Sequence, residues 1–333
     1  DAREPEHVIS AICFYPAVTD GSGRVIPSQS LTMRRRRVLV ERLVESISIS
    51  NYGVQAIDAE VRIEFGADFH DIFEVRGYAR TGTRAPVRVE RRPAEVCFRY
   101  AGADAVERTT TIRFRPDPWK LDEHSATYLF SLAPRETATV EFEASPRQES
   151  SDLSFSTATE KVRSRQRTWL EGMTGVETDD ERVNALLRRS LLDLEALRGV
   201  HQGNQYIAAG VPWFDTLFGR DSLITGIELL AFDPKVLGSA LRVLAGNQAT
   251  ETDVAREAEP GKIPHELRWG ELAGAGEVPF GRYYGSVDAT PLFILAMREY
   301  VRWTNDLAFA RELWPQLEAA LAWCTESPSV DRD

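Results

Sequence analysis

A change of hydrophobic period partway along the chain constrains its fold more than any other feature. Up to about residue 148 apolar and polar residues alternate. Residues 45–50 place Ile47 and Ile49 on one face, and 59–65 repeat the pattern through Val61, Ile63 and Phe65. Segments 87–89, 96–100, 109–114, 127–132 and 137–142 follow, separated by the turn residues Gly53, Pro93, Gly102, Pro116 and Pro134. A period of two puts alternate side chains on the same face of a strand. Short strands of this kind at near-even spacing predict an antiparallel β-sandwich. From about residue 179 the period becomes 3.6. Asp179, Asp180 and Glu181 open a helix whose Val183, Leu186, Leu187, Leu191 and Leu194 share a face. The same spacing predicts helices over 181–198, 221–232, 234–248, 287–304 and 306–325. The expected organisation is therefore a multidomain α+β chain: a β-sandwich over 1–148, a polar linker with a crossing helix over 149–178, and a helical domain over 179–333.

Composition narrows the function classes. The chain carries 51 acidic against 40 basic residues, a net charge of −11, which disfavours nucleic acid and anionic membranes as partners. The run Arg34–Arg37 could suggest a nucleic-acid patch. Val38 to Val40 is strand-like and Glu41 and Glu45 follow closely, so the run reads as a solvated strand start. Cys13, Cys97 and Cys324 are odd in number and far apart, which suggests a reducing, cytoplasmic setting without a disulfide framework. The five histidines lack metal-ligand spacing, and no apolar run is long enough to span a membrane. Dinucleotide, P-loop, zinc-protease and nucleophile-elbow motifs are missing. No metal or cofactor is expected. The chain opens on Asp1 and stops at Arg332-Asp333 just after a helix-like segment, so both ends are expected to be cuts from a longer protein.

One stretch concentrates chemistry: Gly210-Val-Pro-Trp-Phe-Asp-Thr-Leu-Phe-Gly-Arg-Asp-Ser-Leu-Ile-Thr225. It holds three aromatics (Trp213, Phe214, Phe218), two carboxylates (Asp215, Asp221) and Arg220 where a loop enters a helix. Aromatic faces stack on the C–H faces of a sugar, and carboxylate and guanidinium groups bond its hydroxyls. In the plainer alternative, Asp221 only caps the helix. The long connection 250–286 adds His265, Glu266, Arg268, Trp269, Tyr283 and Tyr284, and Asp288 follows it. A loop of this length in a compact domain is usually functional or disordered, and this composition is not that of a disordered segment. Each residue has a structural alternative as well. His265 suits a satisfied loop histidine, Glu266 and Arg268 suit a mutual bridge, Asp288 suits a cap for the 287–304 helix, and both tyrosines suit core packing. Trp303, Trp314 and Trp323 fall on helical faces and read as core.

Four segments resemble one family. Residues 211–224, Gly261-Lys-Ile-Pro-His-Glu-Leu-Arg268 and Tyr283-Tyr-Gly-Ser-Val-Asp-Ala-Thr-Pro-Leu-Phe293 look like the bacterial amylo-α-1,6-glucosidase, or glycogen-debranching, family. Phe65-Gly-Ala-Asp-Phe-His-Asp-Ile-Phe-Glu-Val-Arg-Gly77 is similar to a segment of that family's N-terminal domain. The resemblance implies an N-terminal β-sandwich followed by an (α/α)6 toroid, here incomplete because about five helices cannot close a ring of twelve. It implies hydrolysis of α-glucosidic bonds with inversion by a carboxylate pair. Arg220 and Asp221 would grip the hydroxyls of the terminal sugar, within a pocket including Trp213, Phe214, Asp215, His265, Glu266, Arg268, Tyr283, Tyr284 and Asp288. The general acid and base of related enzymes come from later in the barrel, so this chain is expected to be a truncated form.

Asp221 is the choice if a carboxylate in the chain is catalytic. An adjacent guanidinium favours its ionised form, which suits an acceptor better than a proton donor. The expected ligand is an α-glucan, an oligosaccharide or a small glucoside. The alternative function is an inactive carbohydrate-binding relic of the family.

Overall fold

The structure, a computed structural model, describes residues 8–19, 24–147 and 152–326. The chain ends and the first residues of the expected linker, 149–151, lie outside that description. Two compact units emerge. One comprises Asp1–His70 and Thr83–Arg165, the other Asp71–Gly82 and Gln166–Asp333.

The first unit is built on a seven-stranded antiparallel sheet. Its spatial order is Ile9–Phe14, Leu31–Leu39, Leu43–Asn51, Thr137–Ser145, Glu107–Arg115, Glu95–Ala101 and Arg88–Arg92. A three-stranded sheet pairs Lys120–Leu121, Ser125–Leu132 and Ile57–Glu64. Alternation explains the core. Val140 lies opposite Ile47, Phe142 opposite Phe114 and Ile112 opposite Val96. The inward residues of these strands meet Val61, Ala126, Tyr128 and Leu132 of the smaller sheet in one apolar cluster. Two sheets sharing one core form a sandwich.

Strand Leu43–Asn51 is buried on both faces. On the second face Val38 and Val44 pack with Leu153, Phe155, Ala158 and Val162. The last three belong to the helix Phe155–Glu171. The arginine run is not a solvated strand start. It lies within strand Leu31–Leu39, where Arg35 and Arg37 both donate to the buried Glu45 at 2.5 Å, and Arg36 covers the Phe155 ring at 4.7 Å. Arg35, Arg36 and Arg37 are thus held against Glu45 and Phe155, because the strand register places Arg37 opposite Glu45.

The second unit is mainly helical: Glu181–Ala196, Gly219–Glu228, Pro234–Ala245, Ala289–Thr304, Leu307–Glu312 and Trp314–Glu326. Leu223, Leu237, Leu241, Leu244, Phe293 and Met297 form its core. Close approach is steric: a Cβ on Gly226 would meet Leu237 Cδ1 at 2.7 Å. Two sequence expectations are corrected. The helix expected over 306–325 is two helices, because Pro315 lacks an N–H and clashes with a preceding turn, which breaks the continuous ladder. Strands also interleave with the helices. Arg198–His201 pairs with Asn204–Ile207, and Leu217–Phe218, Glu266–Leu267 and Arg282–Tyr283 form a small sheet. At two to four residues these strands are too short for periodicity to register.

Segment Asp71–Gly82 belongs to this second unit although it comes from the N-terminal half of the sequence. Asp71 caps the short helix Ile72–Val75 with a full capping box, and its Oδ2 accepts from Leu272 N at 3.1 Å. Arg80 is clamped by Glu74 and Glu271, with bonds of 2.8 to 3.1 Å and all three side chains at or below 10% exposure.

Candidate functional site

The site starts from the small sheet. Phe218 pairs with Glu266, Glu266 pairs with Tyr283, and His265 N donates to Tyr283 O at 2.7 Å. The helix Gly219–Glu228 leaves this sheet directly, with Gly219 N donating to His265 O at 2.9 Å. A side chain at 219 would strike Pro264 O and approach Ala289 Cβ to 3.2 Å, so only glycine fits. That contact fixes where Arg220 and Asp221 point. Asp221 lies in the first turn, whereas the N-cap position is Phe218, so the simple capping alternative does not hold. Asp288 does stand at the N-cap of Ala289–Thr304, but its side chain makes no capping bond. It accepts instead from Arg220 Nη1 at 2.9 Å and from Ser286 Oγ.

Arg220 is therefore held from two sides, with Asp221 Oδ2 3.8 Å from its Nε. That oxygen is screened from solvent and has no hydrogen-bond partner. Burial works to raise the pKa of Asp288, but the bonds from Ser286 and Arg220 and the guanidinium charge outweigh it. The carboxyl is held below its ordinary range. Arg220 is raised further, first by its bond to Asp288.

Arg220, His265 and Asp288 line a cleft of about 680 Å³. His265 stands edge-on to Phe218 and Tyr283, at 5.4 and 6.1 Å between ring centres, and its Nδ1 is buried without a partner. Sequence reasoning did not select Glu257, Glu259, Lys262 or Ser286, nor Trp323 as a cleft residue, yet all five line the cleft. Burial lowers the Lys262 amine, against the charges of Glu259 and Glu257. The length of the 250–286 connection and the resembling motifs at 261–268 and 283–293 were the sequence signals for the first four, and Trp323 gave none.

The remaining selected residues fall elsewhere. Glu266 and Arg268 form a buried pair at 3.0 Å, and Arg268 Nη1 donates to Trp213 O at 2.9 Å. The Arg268 guanidinium lies 5.4 Å from the Phe73 ring and 5.6 Å from the Phe218 ring. Trp213 and Phe214 are partly exposed, with Arg76 over both rings at 6.0 and 5.8 Å. Asp215 is exposed in the same turn. Tyr284 is core, its hydroxyl donating to Asn247 O at 2.8 Å. Tyr283 is half-buried and donates to Glu257 Oε1 at 2.7 Å. Among the described residues no three His, Cys, Asp or Glu are placed to hold a metal ion. No helix among them is long and apolar enough to cross a membrane.

Comparison with known proteins gives two family profiles. The N-terminal domain of (some) glycogen debranching enzymes matches residues 1–143, and amylo-alpha-1,6-glucosidase matches residues 193–326. Together they span more than four-fifths of the chain. Among solved structures, a putative kojibiose phosphorylase from the human microbiome matches with a TM-score of 0.60 at 11% identity. That match covers 87% of this chain and 42% of the other, so the chain spans less than half the length of that structure. The likeness is one of fold. A polysaccharide lyase also matches, at 9% identity over 92% of this chain and 60% of that one, but its TM-score of 0.25 carries no argument. No curated protein matches. With both profiles in sequence order over a β-sheet unit and a helical unit, the chain belongs to the glycogen-debranching, amylo-α-1,6-glucosidase-like family.

Proposed function

We propose that this chain supplies the sugar-holding part of an enzyme that hydrolyses α-glucosidic bonds with inversion, the helical unit being the first part of an (α/α)6 toroid. The observation that carries the reading is the Arg220–Asp288 pair on the cleft wall, with the partly exposed Asp221 carboxylate beside it. A guanidinium fixed by one carboxylate and flanked by a second offers donors and acceptors to adjacent hydroxyls of one sugar ring. The ligand is a terminal glucose of an α-glucan, an oligosaccharide or a small glucoside. The buried Glu266–Arg268 pair holds the aromatic turn that carries Trp213 and Phe214. Free cysteines at 13, 97 and 324 are in keeping with a cytoplasmic setting.

An inverting hydrolase needs one carboxyl that keeps its proton at neutral pH and a second, roughly 6.5–9.5 Å away, that activates water. Asp288 moves the wrong way for the acid role, which makes it a binding group. The same fact supports a second reading, a carbohydrate-binding relic without turnover.

Glucose titration followed by NMR tests the binding role. Hydrogen bonds to charged groups contribute about 1.5–3 kcal/mol, so Asp221→Ala should weaken glucose by tenfold or more. Unchanged affinity in that variant removes the basis of the proposal. Incubation of the full gene product with maltooligosaccharide separates the two readings, since an inverting enzyme releases β-glucose first and a relic releases none.

A further inference from the structure

Glu257, which no sequence motif singles out, brings a carboxylate to the cleft. Glu257 ends the 3-10 turn Val254–Arg256 in a left-handed conformation, φ 51° and ψ 33°. A side chain larger than glycine's is uncommon there. Two contacts hold it. Lys262 Nζ donates to Glu257 O at 2.8 Å, and Tyr283 hydroxyl donates to Glu257 Oε1 at 2.7 Å. Tyr283 stays neutral, pushed up to about 12 first by that bond and then by burial. Oε2 has no hydrogen-bond partner among the described residues, and Glu257 is exposed in the cleft that Arg220 and Asp288 also line.

Both cations of the cleft are engaged. Arg220 bonds Asp288, and Lys262 lies 5.5 Å from the centre of the Trp323 ring with its amine turned to the Glu257 carbonyl. The Trp323 indole in turn donates to Glu259 at 3.0 Å. A group entering beside the terminal sugar meets the Glu257 carboxylate held in place by Tyr283, with Glu259 close by. A neutral hydroxyl can donate to it, whereas an anion is repelled.

We propose that Glu257 is a specificity-determining residue of this cleft, which accepts a hydroxyl from the unit next to the terminal sugar and selects neutral glucosides over anionic ones. The proposal rests on the sugar-holding reading given above. It goes beyond that reading by assigning a second position in the cleft and the charge of what occupies it. Tyr283 acts through Glu257 and is a positioning residue.

Maltitol and maltobionate test it on the whole chain. Both carry a terminal α-glucose on an open-chain second unit, neutral in the first and a carboxylate in the second. The wild type should prefer maltitol by about tenfold, and Glu257→Gln, which keeps shape and the Tyr283 bond, should reduce that preference to about twofold. Tyr283→Phe, which frees the carboxylate to swing, should give an intermediate ratio. Thermal melts of both variants check that they fold. An unchanged ratio in folded Glu257→Gln overturns the assignment. So does a wild type that binds glucose but does not distinguish the two ligands, in which case the terminal-sugar site stands alone. A wild type that binds neither glucose nor maltitol overturns the sugar-holding reading together with this one.

Discussion

Replacing Arg268 by alanine should destabilise the helical unit strongly. The guanidinium is 7% exposed, pairs with Glu266 at 3.0 Å, donates to Trp213 O at 2.9 Å and lies near two aromatic rings. Truncation leaves the Glu266 carboxylate, itself 9% exposed, without its cation. Breaking a buried pair from one side costs about 3–5 kcal/mol, mostly the penalty of the stranded charge. For a unit of this size that corresponds to a fall in melting temperature of roughly 10 °C. The double change Glu266→Gln with Arg268→Met removes both charges and should recover more than half of the loss, since the stranded carboxylate is then gone. Tryptophan fluorescence in urea is the appropriate assay. Six of the seven tryptophans belong to the helical unit and only Trp119 to the other, so the signal reports the affected part of the chain. A single variant within about 1 kcal/mol of the wild type would refute the reasoning, because a buried pair cannot be broken so cheaply. A double variant no better than the single would show that shape, not charge, sets the cost.

Two further outcomes follow from the site. Asp288 has a lowered pKa in the folded chain, so its contribution to stability is present above the unfolded value near 4 and is lost as pH falls through the folded value. The difference in urea midpoint between wild type and Asp288→Asn should therefore be largest near pH 7 and shrink by pH 3; an equal difference at both would contradict the linkage. Gly219→Ala forces a methyl group against Pro264 O and Ala289 and should cost about 1–3 kcal/mol, with weaker glucose binding because Arg220 moves with the helix start. A Gly219→Ala protein with wild-type melting and binding would show that the close contact relaxes freely.

The sequence carried the two halves of the fold through one physical signal, the side-chain period. Ile47, Ile49 and Val61 alternate and are core; Leu223, Leu237 and Leu241 recur on helical faces and are core. The signal failed where elements are two to four residues long, as at Glu266–Leu267, and where a side chain has a choice of partner. Nothing local reveals that Asp288 bonds Arg220, 68 residues away, in preference to its own helix. Arg220, Asp221, His265 and Asp288 could be chosen because they cluster with aromatics in two stretches and fall within the resembling motifs. Glu257 could not, since its position depends on a left-handed backbone and on a tyrosine 26 residues later. The pairing of Glu266 with Arg268 was legible as an alternative, because opposite charges two residues apart can reach each other.

The clamp on Arg80 has a consequence for anyone dissecting the gene. Its carboxylate partner Glu271 lies 191 positions further on, and Asp71 bonds Leu272 across 201. A fragment beginning at residue 166 contains every long helix of the unit that follows but leaves Glu271, almost wholly enclosed, without its guanidinium. Such a fragment would emerge from the ribosome as a chain able to collapse and unable to close. In the intact chain, closure brings together segments translated nearly two hundred codons apart, which slows folding and lengthens the interval in which apolar surface is open to aggregation. Supplying residues 71–82 as a separate peptide is the simplest way to ask whether that missing piece is enough.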